Sequence, residues 1–342
     1  MNKKTEYAII TSFKKEDRDL SFFSYYYSLS RFFIKTLLYK LLNNKEKYIK
    51  YHLCFDELKN SKGHKIIGHP TTLLNLFASF KKTKTPYTYN KITKYTKYLL
   101  VLWTDKEEMK KIENLKFSRG GIKKVITFPC AAKFDYDWQY LIPTYDCVDY
   151  TLAHSPWVIE HYREKTPAEY MYKVKDWISG IEHTYFDNKI HNNIICYYKR
   201  IPFNQELEDF IKSLNINCTN IIYQSYNLYE WYEALKKADF VIFIQDCIET
   251  FGMAHAECWA HNRPAVVKFN KNKYGGRTVP YLCDKNGQYY HNFDELKAII
   301  TEYKNDPKKF LNKFRPLEFM QNTLSLEKSL KIITDLCEEK EK

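Results

Sequence analysis

Glycine is scarce, with nine in 342 residues. No low-complexity stretch breaks the chain and no internal repeat stands out, so a domain boundary has to be argued from motifs. Cysteine is present but unorganised. The nine cysteines, at 54, 130, 147, 196, 218, 247, 258, 283 and 337, make no C-x-x-C pair and are odd in number. This excludes a disulfide framework and a cysteine-built zinc site, and it predicts free thiols in a reducing compartment. The ten histidines form no ligand-spaced cluster, so no metal is expected. No long uninterrupted hydrophobic run is present either. The most membrane-like segment, residues 20–42, is broken by Arg31, Lys35 and Lys40. It reads as a core helix, with an interfacial helix as the lesser alternative, and not as a transmembrane span. Glu16, Asp17, Arg18 and Asp19 occupy the region where a signal peptide needs an apolar stretch. The expectation is a cytoplasmic protein, with peripheral contact at a membrane as the alternative.

What is present is apolar and aromatic mass, 44% and 17% of residues, enough for two cores and too much for disorder. The net charge is +13, and it is unevenly placed. Residues 1–100 carry 20 Lys and Arg against 7 Asp and Glu, so they hold the whole excess. A solvated lysine-rich surface would account for this. The sharper reading is an anionic partner: nucleic acid, an acidic lipid surface or an acidic glycan. Lys81, Lys82 and Lys84, with Lys91, Lys94 and Lys97 at every third position, are the candidate contacts.

Apolar runs of strand length alternate with helical patterns. Strands are predicted at 6–13, 48–54, 98–103, 125–128, 150–153, 193–198, 220–223, 239–244 and 265–267. Helices are predicted at 21–42, 72–80 with Thr72 as cap, 106–115, 155–162 opened by Ser155-Pro156, 228–238, 253–261, 293–303 and 326–341 with Ser325 as cap. This alternation implies an α/β fold with parallel sheets. The most informative stretch is Ile248–Val267. It has an apolar strand before it, a polar loop with Glu249, a helix carrying Glu257 on its second turn, and Asn262-Arg263-Pro264 as a stop. A helix N-terminus offers unpaired N–H groups and partial positive charge, a natural place for a diphosphate or a sugar hydroxyl. Two solvated acids on an amphipathic helix are the plain alternative.

Glu249-Thr250-Phe251-Gly252, then Glu257 and Arg263-Pro264-Ala265-Val266-Val267, resembles the E-x7-E signature of retaining, group 1 glycosyltransferases with the GT-B fold. Asn262 stands where that family usually has Gly, and Asn tolerates the left-handed C-cap. Trp177–Phe186 resembles the family's interdomain segment, with Gly180 and Phe186 matching and Glu182 in place of Asp. The resemblance implies two Rossmann-like domains with a donor cleft between them. It implies an acceptor-side domain over 1–180, a nucleotide-sugar-binding domain over 181–320, and a helix in 321–342 packing back on the first domain.

The resemblance also implies roles. Glu257 would hold the donor ribose and Glu249 the sugar hydroxyls. Backbone N–H groups of Thr250, Phe251, Gly252 and Met253 would hold sugar or phosphate. Lys199 and Arg200, at a strand end where the family has Gly-Arg, would neutralise the diphosphate. Tyr226 lies where the family contacts the base. Gly68 and His69, in a loop expected to face the acceptor, are acceptor-side candidates. Gly275-Gly276-Arg277 lies in a region that approaches the donor, though a surface loop fits equally. No D-x-D accompanies the motif; Asp17-Arg18-Asp19 and Asp135-Tyr136-Asp137 lie in the first half. The expected donor is a UDP- or GDP-sugar, with no metal or other cofactor and an anionic or glycan acceptor. Alternatives are a DNA glycosyltransferase acting on hydroxymethylated bases, another nucleotide-sugar enzyme such as an epimerase or a phosphorylase, and a non-catalytic sugar- or nucleic-acid-binding module. No pyridoxal lysine for a phosphorylase is identifiable.

Overall fold

The computed structural model describes residues 6–11, 33–34, 37–38, 69–89, 91–102, 106–128, 137–182, 189–223, 225–226 and 228–339. The strand expected at 48–54, most of the helix expected at 21–42, and Gly68 lie outside them.

The first sheet holds β1 (Tyr7–Thr11), β2 (Tyr87–Tyr89), β3 (Tyr98–Leu102), β4 (Lys124–Phe128), β5 (Tyr150–Ala153) and β6 (Val174–Asp176). Its order is β2-β1-β3-β4-β5-β6, with every pairing parallel. Helices α1 (His69–Lys82), α2 (Lys106–Arg119) and α3 (Pro156–Lys165) cross between strands or flank them. Successive strand residues point to opposite faces. Leu100, Leu102 and Ile126 pack with Leu73, Leu76 and Phe80 of α1, whereas Leu99, Val101 and Val125 pack with Met109 and Ile112 of α2. Burial on both faces is why these strands are continuous apolar runs.

The second sheet holds β7 (Asn193–Lys199), β8 (Asn217–Ile222), β9 (Phe240–Gln245), β10 (Ala265–Lys268) and β11 (Gly287–Tyr290). It is also wholly parallel, in the order β11-β10-β9-β7-β8. Around it lie α4 (Gln205–Ser213), α5 (Leu228–Lys236), α6 (Met253–Ala260) and α7 (Phe293–Asn305). Ile195 and Tyr197 face Trp231 of α5, while Ile194, Cys196 and Tyr198 face Leu207 and Ile211 of α4 and Ile300 of α7. Chain order reverses across the sheet between β7 and β9, so the crevice at their C-terminal ends is where an α/β sheet of this kind takes a ligand.

After α8 (Pro307–Leu311), helix α9 (Pro316–Thr323) packs on α6, and α10 (Leu326–Glu338) returns to pack on α1. Leu330, Ile333 and Cys337 of α10 complete the core face around Phe80 and Leu102. The Trp177 indole donates to the Ser329 carbonyl at 3.1 Å, and the Lys124 ammonium donates to the Leu336 carbonyl at 3.0 Å. Gly180 permits the return: a Cβ there would lie 2.7 Å from Leu326 Cα. The Ile181 amide donates to the Leu324 carbonyl at 2.9 Å, so the two chain crossings between sheets run side by side.

Two expectations need correction, at residues 69–72 and at 220–223, and the one for Asn262 is met. Helix α1 begins at His69, three residues before the expected cap Thr72. Pro70 suits a first turn, where its missing N–H has no partner to lose. His69 is therefore the first residue of a helix and not part of a loop. The strand expected at 220–223 spans Asn217–Ile222. Asn262 does adopt the left-handed conformation, with φ 57°, and its side-chain oxygen accepts from the Leu317 amide at 3.3 Å.

Candidate functional site

Lys199 ends β7 and stands in register with Gln245, which ends β9. Four residues past Gln245 comes Glu249. The Lys199 ammonium donates to the Glu249 carboxylate, and the two side chains are only 15% and 14% exposed. Burial alone would lower the Lys199 ammonium, but the Glu249 charge and hydrogen bond outweigh it and hold the ammonium above its usual value. A charge pair this sheltered is costly to break by removing one partner. Lys199 also lies 4.9 Å from the centre of the Tyr223 ring, just beyond the end of β8. Arg200 follows with φ 61° and is exposed.

The Glu249 main chain is held at both ends. Its amide donates to the Thr278 carbonyl at 2.9 Å, and its carbonyl accepts from the Trp157 indole at 3.0 Å. Thr250 is half-buried and Phe251 is buried, with its ring 5.8 Å from that of His154, which follows β5 in the first domain. Gly252 caps α6 at φ 87°, a left-handed backbone that favours glycine. Met253 then starts the helix, and its sulfur accepts from the Asn75 amide of α1 at 3.8 Å. The first domain thus reaches the start of α6 through Asn75. Among the described residues nothing assigns that part to Gly68, and the fold places His69 on the same helix, two turns earlier.

Glu257 is buried on the second turn of α6 and accepts from the Trp231 indole at 2.9 Å. Burial pushes its carboxyl up to about 8, with the Trp231 hydrogen bond pulling the other way. Tyr226 and Tyr197 share a hydroxyl–hydroxyl bond of 2.8 Å, and burial first, with the nearby Glu257 carboxyl adding to it, raises both phenols above their usual range. The structure thus pairs Lys199 with Glu249 beyond the ends of β7 and β9, and groups Tyr226 and Tyr197 with Trp231 and its partner Glu257. His255, the third residue of α6, stacks on Phe243 with ring centres 3.7 Å apart. Burial and the Lys199 charge keep its imidazole well below the ordinary value, so it is neutral beneath the site. Sequence reasoning passed over Trp157, Trp231, Tyr197 and Asn75. Each lies inside a predicted strand or helix with nothing in its spacing to single it out, and only Trp231, three residues into the helix that precedes the E-x7-E element, carries a positional signal. Among the described residues, no group of three or more His, Cys, Asp or Glu is placed to hold a metal ion. Of the six candidate contact lysines, Lys82 pairs with Glu327 at 2.8 Å and Lys97 pairs with Glu6 at 2.5 Å, while Lys81, Lys84, Lys91 and Lys94 are exposed.

No protein-family model matches the chain, and no curated protein sequence matches it. Solved structures do. HepE from Anabaena, seen in complexes with UDP and with UDP-glucose, superposes with a TM-score of 0.53 at 10% identity, over 97% of this chain and 99% of HepE. TarM from S. aureus superposes with a TM-score of 0.50 at 12% identity, over 78% of this chain. The match spans 58% of TarM's length. A glycosyltransferase from Rickettsia africae gives 0.50 at 12% identity, over 98% of this chain and 100% of that one. The chain thus has the GT-B fold, with two Rossmann-like domains facing across a cleft.

Proposed function

We propose that the chain is a retaining glycosyltransferase that moves a sugar from a nucleotide-sugar donor to an acceptor hydroxyl without a metal. The observation that carries this is the sheltered Lys199–Glu249 pair at the reversal point of the second sheet, with Glu257 buried on the adjoining helix. A cation beside a carboxylate at the mouth of a helix N-terminus suits a ligand with a diphosphate at one end and sugar hydroxyls at the other. In this reading Glu257 accepts from the ribose hydroxyls, and Tyr226 borders the base. Lys199 and Arg200 neutralise the diphosphate as it leaves, which is electrostatic stabilisation of developing charge. Lys199 exchanges part of its bond to Glu249 for phosphate oxygens, and Glu249 turns to the sugar hydroxyls. The two glutamates are not a hydrolase pair, because both come from one donor-side element. UDP in the HepE and TarM complexes supports a uridine nucleotide. The acceptor in this reading is a glycan or glycolipid hydroxyl. DNA is the alternative acceptor, on the strength of the exposed Lys81, Lys84, Lys91 and Lys94.

The test is a panel of UDP- and GDP-sugars assayed for hydrolysis and for transfer. Turnover of one of them, reduced in Lys199→Ala, is expected. Tight nucleotide binding with no turnover of any donor would move the assignment to a binding module. No binding at all would overturn it.

A further inference from the structure

We propose that Trp157 is a positioning residue that couples closure of the cleft to the placement of Glu249. The proposal deepens the glycosyltransferase reading and rests on it for its catalytic consequence. Trp157 belongs to α3 of the first domain, is 4% exposed, and donates its indole N–H to the Glu249 carbonyl at 3.0 Å. The Glu249 amide is already fixed within its own domain by the Thr278 carbonyl at 2.9 Å. One peptide group is therefore held by the second domain and the next by the first. Only when the cleft is closed are both held, and the carboxylate between them is the one paired with Lys199.

The same helix face meets the segment that backs the indole. A Cβ on Gly276 would lie 2.6 Å from Trp157 Cγ, so the chain at Gly276 presses directly on the ring. Asn272 braces that turn, accepting from the Gly276 amide at 2.8 Å and from the Tyr274 amide at 3.0 Å. One turn along α3, the His161 ring meets Tyr274 with centres 4.6 Å apart. A further turn on, Glu164 accepts from the Tyr274 hydroxyl and pairs with Lys273 at 2.9 Å. Residues 157, 161 and 164 share one helix face. The segment from Asn272 to Gly276 thus grips α3 over two turns and sets the indole against the Glu249 carbonyl.

The test uses the full chain. Trp157→Phe keeps an aromatic ring against Gly276 and removes the N–H; Gly276→Ala keeps the N–H and displaces the ring. First, exchange of the Glu249 amide, which bonds the Thr278 carbonyl, should speed up in both variants, which reads the tether without any turnover. Second, kcat for the donor found by the panel should fall on the order of tenfold, the value of one buried hydrogen bond. Affinity for UDP should stay within about twofold, because the nucleotide is held by the second domain alone. Unchanged exchange in both folded variants would overturn the tether. Unchanged kcat, or a matching loss of UDP affinity, would overturn the positioning role. If wild type turns over no donor, the glycosyltransferase reading fails, while the exchange rates still decide whether Trp157 holds Glu249. If either variant fails to fold, the other decides.

Discussion

Nucleotide binding should release a proton. Glu257 is buried, has the Trp231 indole as its hydrogen-bond donor, and is pushed up to about 8. Ribose hydroxyls donate more strongly to a carboxylate than to a neutral acid. At pH 7 roughly nine in ten free molecules would carry the proton, and binding must expel it. Each pH unit below 8 then weakens nucleoside diphosphate binding about tenfold, or about 1.4 kcal/mol. Between pH 8, where half the carboxyls are already protonated, and pH 6 the loss reaches about fiftyfold. The assay is titration calorimetry with UDP in buffers of different ionisation enthalpy, run from pH 6 to 9. The terminal phosphate of the ligand also titrates near the bottom of this range. Glu257→Gln, run in parallel, removes that contribution: it keeps an acceptor for Trp231 and cannot ionise. Wild type should release about 0.9 proton more than the variant at pH 7. The free protein should show the linked effect. An unfolded chain ionises this carboxyl near 4.5 and the folded one near 8, so the folded state holds the extra proton in between. Stability should fall as pH rises through that window, and the Gln variant should lose this slope. Equal proton release and equal pH slopes in the two proteins would refute both the assignment of Glu257 and the physical argument behind it.

Trp231→Phe should destabilise the protein by about 1–3 kcal/mol in urea melts, because it leaves a buried carboxyl without its donor; an unchanged midpoint would discount the Trp231–Glu257 bond. Gly180→Ala should cost about 1–3 kcal/mol by overpacking against Leu326 and Ser329, read as a lowered thermal midpoint. Activity should survive EDTA, since Lys199 and Arg200 are proposed to take the diphosphate charge; loss restored by manganese would point to another transferase class. If the exposed lysines serve a polyanionic acceptor, its affinity should fall linearly in log salt, by roughly 0.9 per neutralised phosphate of duplex DNA. A flat response in wild type and in the Lys81, Lys82, Lys84→Ala triple variant would leave the charge as a solvated surface.

The strands that were legible are the ones buried on both faces. Phe240–Gln245 and Asn193–Lys199 read as apolar runs because helices cover both sides. Tyr87–Tyr89, Val174–Asp176 and Gly287–Tyr290 passed unnoticed because three or four mixed residues carry no period. Helix Gln205–Ser213 was missed although Asn204 accepts from the Leu207 amide as its cap and Glu206 and Glu208 sit in its first turn. Lys199 could be placed at a strand end and Glu249 in the loop before a helix, but their pairing could not be seen. Fifty residues separate them, and only the adjacency of β7 and β9 brings them together. Trp157 shows the same limit across domains: an indole that binds a carbonyl and one that fills a core have the same pattern in sequence.

The return of α10 to the first sheet sets an order of assembly. Everything that builds the second sheet lies between Asn193 and Tyr290, so that half can close from contiguous chain. The face of the first sheet that holds Leu100 and Leu102 is covered by α1 alone, and so only in part, until Leu330, Ile333 and Cys337 have left the ribosome. The half synthesised first is therefore the half finished last, and its exposed apolar face is the stretch that chaperones would have to shield in the interval. Nascent chains stalled with residue 320 just outside the tunnel should protect the second sheet from protease and leave the first one open to cleavage.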